Sequence, residues 1–129
     1  MRSRLFPKIL LVLILVLLSA CATESGSAPA AIESYLQALV TKNASQLVAA
    51  SCAAWEASAR QELRTFDAVE VSLNELACQV ADQSGDTVRV ACSGRITANY
   101  GNEVLEINLA DRSYTAVNEA GEWRMCGYQ

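Results

Sequence analysis

The apolar positions of this chain follow three successive patterns, and each predicts a different kind of structure. Residues 9–18 are an unbroken run of Ile, Leu and Val. From Ile32 to Val40 the apolar side chains recur every three or four residues, which predicts an amphipathic helix. From Val69 onward apolar and polar residues alternate, which predicts strands with one buried face. The order of these patterns predicts helices that are followed by an antiparallel sheet.

Three helical segments precede the strands. The first has Ser27 in position to cap its N-terminus and Pro29 in its first turn, where a missing N–H costs nothing. A short second helix starts at Asn43 or Ser45. A third helix has its apolar residues on one side, and we interpret them first as core: Trp55, Ala59, Leu63 and Phe66.

Turns and alternation predict the register of the strands. If 101–102 is a two-residue hairpin loop, Ile96 faces Ile107 and Ala98 faces Leu105, so apolar side chains meet on a shared core face. The alternation changes parity at 74–75, which predicts a β-bulge in the first strand. A final turn at 118–121 leads into the last of four predicted strands.

Four cysteines lie in the helical and strand regions. A three-residue loop at 84–86 would place Cys78 opposite Cys92, which favours a disulfide between them and leaves Cys52 for Cys126. Four cysteines allow three pairings, so the other pairings stay open at this point. The spacings contain no Cys-x-x-Cys pair, and we therefore favour two disulfides over a thiolate metal site.

The complete absence of histidine narrows the possible chemistry. It excludes Ser-His and Cys-His dyads and argues against a zinc site. We expect no metal and no cofactor. Acid–base chemistry would have to use carboxylates or tyrosines, and we assign no catalytic residue from the sequence.

The start of the chain carries a different signal. Leu18, Ser19, Ala20 and Cys21 follow a basic N-terminus and the apolar run. A bilayer takes about 20 apolar residues, so the run is too short to span one but suits an export signal. The four residues resemble the lipobox of bacterial lipoprotein signal peptides. The alternative is a short uncleaved membrane anchor that ends near Cys21.

The lipobox resemblance implies a processed, lipidated protein. Residues 1–20 would be removed, Cys21 would carry the acyl chains (palmitate among them), and residues 21–28 would tether a single domain at 29–129. We expect attachment to the cell membrane or the outer membrane, with the domain on the extracytoplasmic side. Ala22, which is not Asp, permits sorting to an outer membrane.

The predicted processing also changes the charge of the protein. The whole chain has a net charge of −4, but cleavage would remove three of the ten basic residues and none of the fourteen acidic ones. Seven basic and fourteen acidic residues would remain, a net charge of −7. Such a balance argues against nucleic acid as a partner.

Two segments of the domain resemble a known fold. Residues 31–39 with 43–47 look like the first two helices of the cystatin-like cone fold, and residues 119–128 look like its final turn and strand. This superfamily contains nuclear transport factor two-like, SnoaL-like and lumazine-binding-like domains. The resemblance implies an α+β fold, in which N-terminal helices pack on a curved four-stranded antiparallel sheet. It supports the fold far better than any one function.

The cone fold implies a pocket between helices and sheet. We expect a non-catalytic binding or interaction module whose partner is an envelope protein or a small ligand, besides the membrane reached through the Cys21 lipid. The alternative is a small isomerase-like or dehydratase-like enzyme with a carboxylate base such as Asp67. Our candidates for the pocket are the following aromatic residues: Tyr35, Trp55, Phe66, Tyr100 and Trp123.

Overall fold

The computed structural model describes residues 26–129, and the predicted signal peptide and Cys21 lie outside this range. Three helices come first: α1 (Ala28–Val40), α2 (Ala44–Ala49) and α3 (Glu56–Thr65). Five strands follow: β1 (Glu70–Ser84), β2 (Thr87–Asn99), β3 (Val104–Asn108), β4 (Ser113–Glu119) and β5 (Glu122–Tyr128). Among the helices of residues 26–129, none has the length and apolar content to cross a membrane.

The helices begin where the capping residues predict. Ser27 Oγ accepts a hydrogen bond from the Ala30 amide at 3.3 Å, and Asn43 Oδ1 accepts one from the Gln46 amide at 3.1 Å. Both side chains satisfy an amide that the first helical turn leaves without a partner. The apolar stripe of α1 is buried, and its largest members are Ile32, Tyr35, Leu36 and Leu39.

Strand β2 is the centre of the sheet. It pairs with β1 along its whole length, with β4 along its first half and with β3 along its second half. The order is β1-β2-β4-β5, with all pairs antiparallel and the helices packed on the sheet. The predicted α+β fold is confirmed.

The third predicted strand is divided into β3 and β4, which is why the sheet has five strands. A 3₁₀ turn at Leu109–Asp111 separates them. Asn108 Oδ1 accepts a hydrogen bond from the Ala110 amide at 3.1 Å, and the Leu109 side chain is fully buried. A polar side chain that satisfies the backbone and an apolar one that enters the core thus stabilise the break.

The register at the second hairpin is as predicted, with Ile96 opposite Ile107. The first strand has its bulge after Asn74, where Gly94 on β2 adopts a φ of +106° and approaches the bulge so closely that a Cβ would lie 2.6 Å from the Asn74 carbonyl oxygen. Only glycine fits this approach.

The predicted three-residue loop at 84–86 is wrong. Ser84 pairs with Thr87, so the loop has two residues, and Gly85 has the positive φ of +60° that such loops favour at their first position. A second register shift near residue 81 compensates, so that Cys78 still faces Cys92. One extra residue has moved from the loop into the strand.

The two disulfides are the ones that the register favoured. Cys78–Cys92 joins β1 to β2 across a Cα separation of 4.1 Å, and Cys52–Cys126 joins the α2–α3 linker to β5 across 5.2 Å. Beside the second bond, the Cys52 amide donates to the Met125 carbonyl at 2.8 Å. The linker is therefore held to the sheet by covalent and hydrogen bonds together.

The helices cover only part of the sheet. Leu105, predicted on the core face, is 45% exposed, and Tyr100 at the end of β2 is 47% exposed. The core prediction for Leu105 is wrong because the buried face of α1 ends before it reaches this end of the β2–β3 hairpin. The sheet and α3 instead diverge there and leave an opening.

Candidate functional site

A pocket of about 460 Å3 lies in this opening, between α3 and the end of the β2–β3 hairpin. One wall is the face of α3 and presents mainly polar side chains: Ser58, Gln61, Glu62 and Thr65. The opposite wall is apolar and comes from the hairpin: Tyr100, Leu105 and Ile107. Trp55, Phe66, Arg112 and Tyr128 complete the lining. The pocket therefore has one apolar and one polar side.

Glu62 is the centre of a hydrogen-bonded cluster in this pocket. Its Oε2 accepts from the Tyr35 hydroxyl at 2.6 Å, and its Oε1 accepts from the Tyr128 hydroxyl at 3.2 Å. The Trp55 indole N–H donates to the Tyr35 hydroxyl at 3.2 Å. Three aromatic side chains from α1, the α2–α3 linker and β5 are thus locked to one carboxylate, which makes the wall of the pocket rigid.

Arg112 brings a positive charge to the same place. It follows the 3₁₀ turn, and its Cζ lies 4.2 Å from the centre of the Tyr128 ring. Its Nη1 is 3.7 Å from Glu62 Oε1, which makes an ion pair without a hydrogen bond. The Arg112 side chain is 23% exposed and that of Glu62 is 15% exposed, so the pair is largely shielded from water.

The tyrosines of this region keep their protons at neutral pH. Burial, followed by the charge of Glu62, raises the pKa of Tyr35 well above its ordinary value. Burial and Glu62 also raise the pKa of Tyr128, and Arg112 offsets part of the rise. Each hydroxyl is therefore a hydrogen-bond donor and a poor source of phenolate.

Tyr114 is a buried neighbour of the cluster. Its ring centre lies 5.7 Å from that of Tyr128, and its hydroxyl, fully buried, has no hydrogen-bond partner among residues 26–129. Burial raises the pKa of Tyr114, and the positive charge of Arg112 offsets part of that rise. The Tyr114 hydroxyl therefore keeps its proton, and the charge of Arg112 acts on it.

A second, larger hollow of about 710 Å3 lies elsewhere. It is bordered by the start of α1, by α2 and by the β4–β5 turn, and most of its lining residues are Ala, Gly, Ser and Gln. Trp123 is the largest side chain of this lining. Glu122 is 69% exposed in its side chain and pairs with Arg124 at 2.7 Å. We call this space the tether-side hollow, since Gly26 is on its edge.

The pocket and the tether-side hollow lie at opposite ends of the β4–β5 ladder. Tyr114 pairs with Tyr128 at the pocket end, and Glu119 pairs with Glu122 at the other end. Five residue steps along a strand of about 3.3 Å per residue put the two ends about 16 Å apart. They are separate surfaces of the domain.

The structure brings together most of the aromatic residues that the sequence proposed. Trp55, Phe66 and Tyr100 line the pocket, and Tyr35 lies beneath it as the donor to Glu62. Trp123 is in the tether-side hollow because it lies next to the β4–β5 turn, at the far end of the ladder.

The two charged residues of the pocket were not found from the sequence. Glu62 did carry a signal, since it stands seven residues after Trp55 and four before Phe66, within the apolar stripe of the third helix. Arg112 carried none. Asp67, the carboxylate named from the sequence as a base, is exposed and lies outside the lining of the pocket. Cys21 lies outside the described residues.

Comparison with known proteins gives the fold. No family model matches the chain, and no curated protein matches it by sequence. The solution structure of a SEC-C motif-containing protein from Rhodopseudomonas palustris aligns with a TM-score of 0.53 and 12% identity, over 78% of this chain and 75% of that one. The crystal structure of an NTF2-like family protein from Streptomyces avermitilis, proposed to be a dehydratase, aligns with a TM-score of 0.50 and 12% identity, over 77% and 88%.

A third structure, Aln2 from a Streptomyces species, has a TM-score of 0.49 and 16% identity over 77% of this chain and 82% of that one, too low to support an inference. The similarity to the Streptomyces avermitilis structure shows that the chain has an NTF2-like fold, as its helices and final strand predicted. Folds of this kind are shared by binding proteins and enzymes, so the fold alone does not choose between them.

Proposed function

We propose that this chain is a lipid-anchored extracytoplasmic protein that binds a small molecule in the pocket between α3 and the β2–β3 hairpin, without converting it. The observation that carries the binding proposal is the pocket itself, whose rigid aromatic lining surrounds one ion pair. Pockets for small ligands are mostly apolar, largely preformed and contain a few fixed polar groups. The volume of about 460 Å3 is in the range such ligands need.

The bonding of Glu62 argues for binding rather than chemistry. A general base needs a lone pair that can reach the proton of a substrate. Each oxygen of Glu62 already accepts a tyrosine hydroxyl, and one of them also faces Arg112. These interactions would have to be broken or shared before Glu62 could take a proton, so we assign it a structural and orienting role.

An enzyme remains the second candidate because Glu62 is a largely shielded carboxylate in a pocket of the right kind. In that case Glu62, and not Asp67, would be the base, with Tyr128 as a donor to the substrate. Glu62→Gln would then abolish turnover while leaving the binding of a product analogue unchanged. A binding protein shows no turnover of any ligand it retains.

Binding is testable with N-phenyl-1-naphthylamine, an uncharged apolar dye that becomes fluorescent out of water. We expect saturable binding of one dye per chain, and we expect Tyr100→Ala and Leu105→Ala to weaken it about tenfold, because these exposed side chains form the apolar wall. Trp123→Ala is the matched control from the tether-side hollow. Equal losses from Trp123→Ala and Tyr100→Ala would contradict the proposal.

The anchor is supported by the lipobox-like residues and is tested separately. When the full chain is expressed in a bacterium that processes lipoproteins, we expect a mature protein that begins at Cys21, has the added mass of its acyl chains and is found in the membrane fraction. Cys21→Ser is the control and should abolish both the added acyl mass and the recovery in the membrane fraction. An intact Met1 on the membrane-bound protein would refute processing at this site.

A further inference from the structure

The side chain of Arg112 has binding capacity that the protein does not use. A guanidinium has five N–H donors. Among residues 26–129, no protein oxygen accepts a hydrogen bond from this one, and its nearest charged partner, Glu62 Oε1, is 3.7 Å away. The side chain is 23% exposed and lines the pocket, so a ligand there can reach its N–H groups. A charge-assisted hydrogen bond to a partly shielded guanidinium is stronger than one between neutral groups, so a ligand acceptor would be bound strongly.

The position of Arg112 directs that capacity into the pocket. Its Cζ lies over the Tyr128 ring, 4.2 Å from the ring centre, so the ring holds the guanidinium against the wall of the pocket. The N–H groups of a guanidinium lie in its plane and point outward from its edges. One edge faces Glu62, and Arg112 is part of the pocket lining, so a further edge is open to a molecule in the pocket.

Within the described part of the chain, Glu62 and Arg112 are the only charged residues that line this pocket, and their charges cancel. Net charge therefore does not select the ligand, but free bonding capacity does. Glu62 already accepts two tyrosine hydroxyls, whereas Arg112 donates to no protein oxygen among the described residues. A cationic ligand would have to displace existing donors from Glu62, while an anionic ligand would displace nothing.

A buried polar atom beside Arg112 supports the same conclusion. The Tyr114 hydroxyl has no hydrogen-bond partner in the described part of the chain, although Arg112 lies close enough to affect its titration. Buried polar atoms of this kind usually have a partner in the functional state.

From these observations we propose that the ligand of the pocket is an amphipathic anion, whose carboxylate or equivalent head is bound by Arg112 and whose apolar body lies against Tyr100, Leu105 and Ile107. This inference rests on the proposed binding function and specifies the chemical class of its ligand. The polar wall of α3, with Ser58 and Gln61, can donate further hydrogen bonds to the head.

Two dyes that share an anilinonaphthalene body test the inference. 1-Anilinonaphthalene-8-sulfonate carries an anionic head, and N-phenyl-1-naphthylamine carries none. We expect the folded protein to bind the sulfonate at least about tenfold more tightly, since a charge-assisted hydrogen bond contributes that much. In Arg112→Gln we expect this preference to disappear, with the sulfonate weakened about tenfold or more and the neutral dye unchanged within about twofold.

Arg124→Gln is the matched control, because Arg124 is an arginine paired with a glutamate at the tether-side hollow. It should leave both affinities unchanged. Retained binding of the neutral dye shows that Arg112→Gln still folds and still has its pocket. Added salt should weaken the sulfonate in the unmodified protein and have little effect on the neutral dye.

The outcomes separate this inference from the proposal beneath it. Suppose that the neutral dye binds in the pocket but the sulfonate binds no more tightly, or still binds more tightly in Arg112→Gln. The proposal of an anionic ligand held by Arg112 is then wrong, while the proposed binding function stands. If neither dye shows saturable binding, or if both survive the loss of Tyr100 and Leu105, the pocket proposal fails and the inference fails with it.

Discussion

The pocket and the tether-side hollow differ in a way that size does not predict. The tether-side hollow is larger, about 710 Å3 against about 460 Å3, but its lining is mostly small residues and its charged side chain, Glu122, is 69% exposed. The smaller pocket has large side chains that are fixed by one another. A concave surface becomes a binding site when its side chains are held in place before the ligand arrives, because little ordering entropy is then lost.

The fixed network of the pocket crosses the whole domain. Trp55 donates to Tyr35, Tyr35 and Tyr128 donate to Glu62, and Arg112 stacks on Tyr128. These residues come from separate parts of the chain. At the tether-side hollow, Glu122 and Arg124 are two residues apart on one strand, and Arg124 also donates to the Ala49 carbonyl of α2. These polar contacts join two segments and involve no aromatic side chain.

Removing a disulfide should produce the largest effect and should affect both surfaces alike. The Cys52–Cys126 bond closes a loop with a sequence separation of 74 and holds the α2–α3 linker to β5. The Cys78–Cys92 bond closes a loop with a separation of only 14. Loop entropy predicts a loss in free energy of unfolding of about 4 kcal/mol for the first bond and about 3 kcal/mol for the second. Urea denaturation of the paired Cys→Ala variants measures both losses, and a greater cost for Cys78–Cys92 would contradict the loop argument.

The two tryptophans offer the next largest contrast. Trp55→Ala removes an indole that contacts Tyr128 edge-on, with ring centres 5.7 Å apart, and donates to Tyr35. We expect a loss of about 3 kcal/mol in the free energy of unfolding, against about 1 kcal/mol for Trp123→Ala, which lies beside a wide hollow. Chemical denaturation of both variants decides the order. Equal losses would mean that the pocket is no more rigid than the tether-side hollow.

Neutralising one glutamate at each surface should sharpen the comparison. Glu62→Gln keeps the size of the side chain but weakens two acceptors and leaves Arg112 without its ion pair, so we expect a loss of about 2 kcal/mol. Glu122→Gln should cost less than about 0.5 kcal/mol because exposed pairs contribute little. Thermal or urea unfolding at neutral pH measures both. A large loss from Glu122→Gln would reverse the interpretation.

Alkaline pH should give the most selective effect. The pKa values of Tyr35, Tyr114 and Tyr128 are all raised from 10.0 in the folded protein. Above that pH the unfolded chain loses protons that the folded chain keeps, so stability that is complete below pH 10 falls as the pH rises further. Urea unfolding from about pH 8 to about pH 11 tests this. In Tyr35→Phe the free energy of unfolding should fall less steeply with pH. An unchanged slope would show that Tyr35 does not contribute to the loss of stability.

Much of the fold follows from local features of the sequence. Ser27 and Asn43 determine where two helices start because each satisfies a free backbone amide. The 101–102 loop gives the register of its hairpin because apolar residues must share a face. The predicted three-residue length of the loop at 84–86 was wrong. A two-residue loop with a compensating bulge gives the same pairing at Cys78, so the register of the cysteines does not distinguish the two arrangements.

The candidate site was less predictable because it depends on contacts between distant segments. Trp55 and Phe66 belong to the apolar stripe of the third helix, which the sequence favoured as core, and Tyr128 was not among the candidates. Arg112 lies 50 residues after Glu62, and nothing in its local sequence marks it as a partner. Glu62 occupies a stripe position that would ordinarily be apolar, and a carboxylate at such a position indicates a buried partner.

The opposite placement of the two surfaces has a consequence for how a ligand would arrive. Gly26 lies on the edge of the tether-side hollow, and Cys21 is five residues earlier in the sequence. A flexible tether of that length spans about 12 Å on average, so a lipid on Cys21 would keep the tether-side hollow nearer the bilayer than the pocket. A chain anchored through Cys21 would therefore hold its pocket open to the aqueous compartment, and would collect its ligand from solution rather than extract it from lipid.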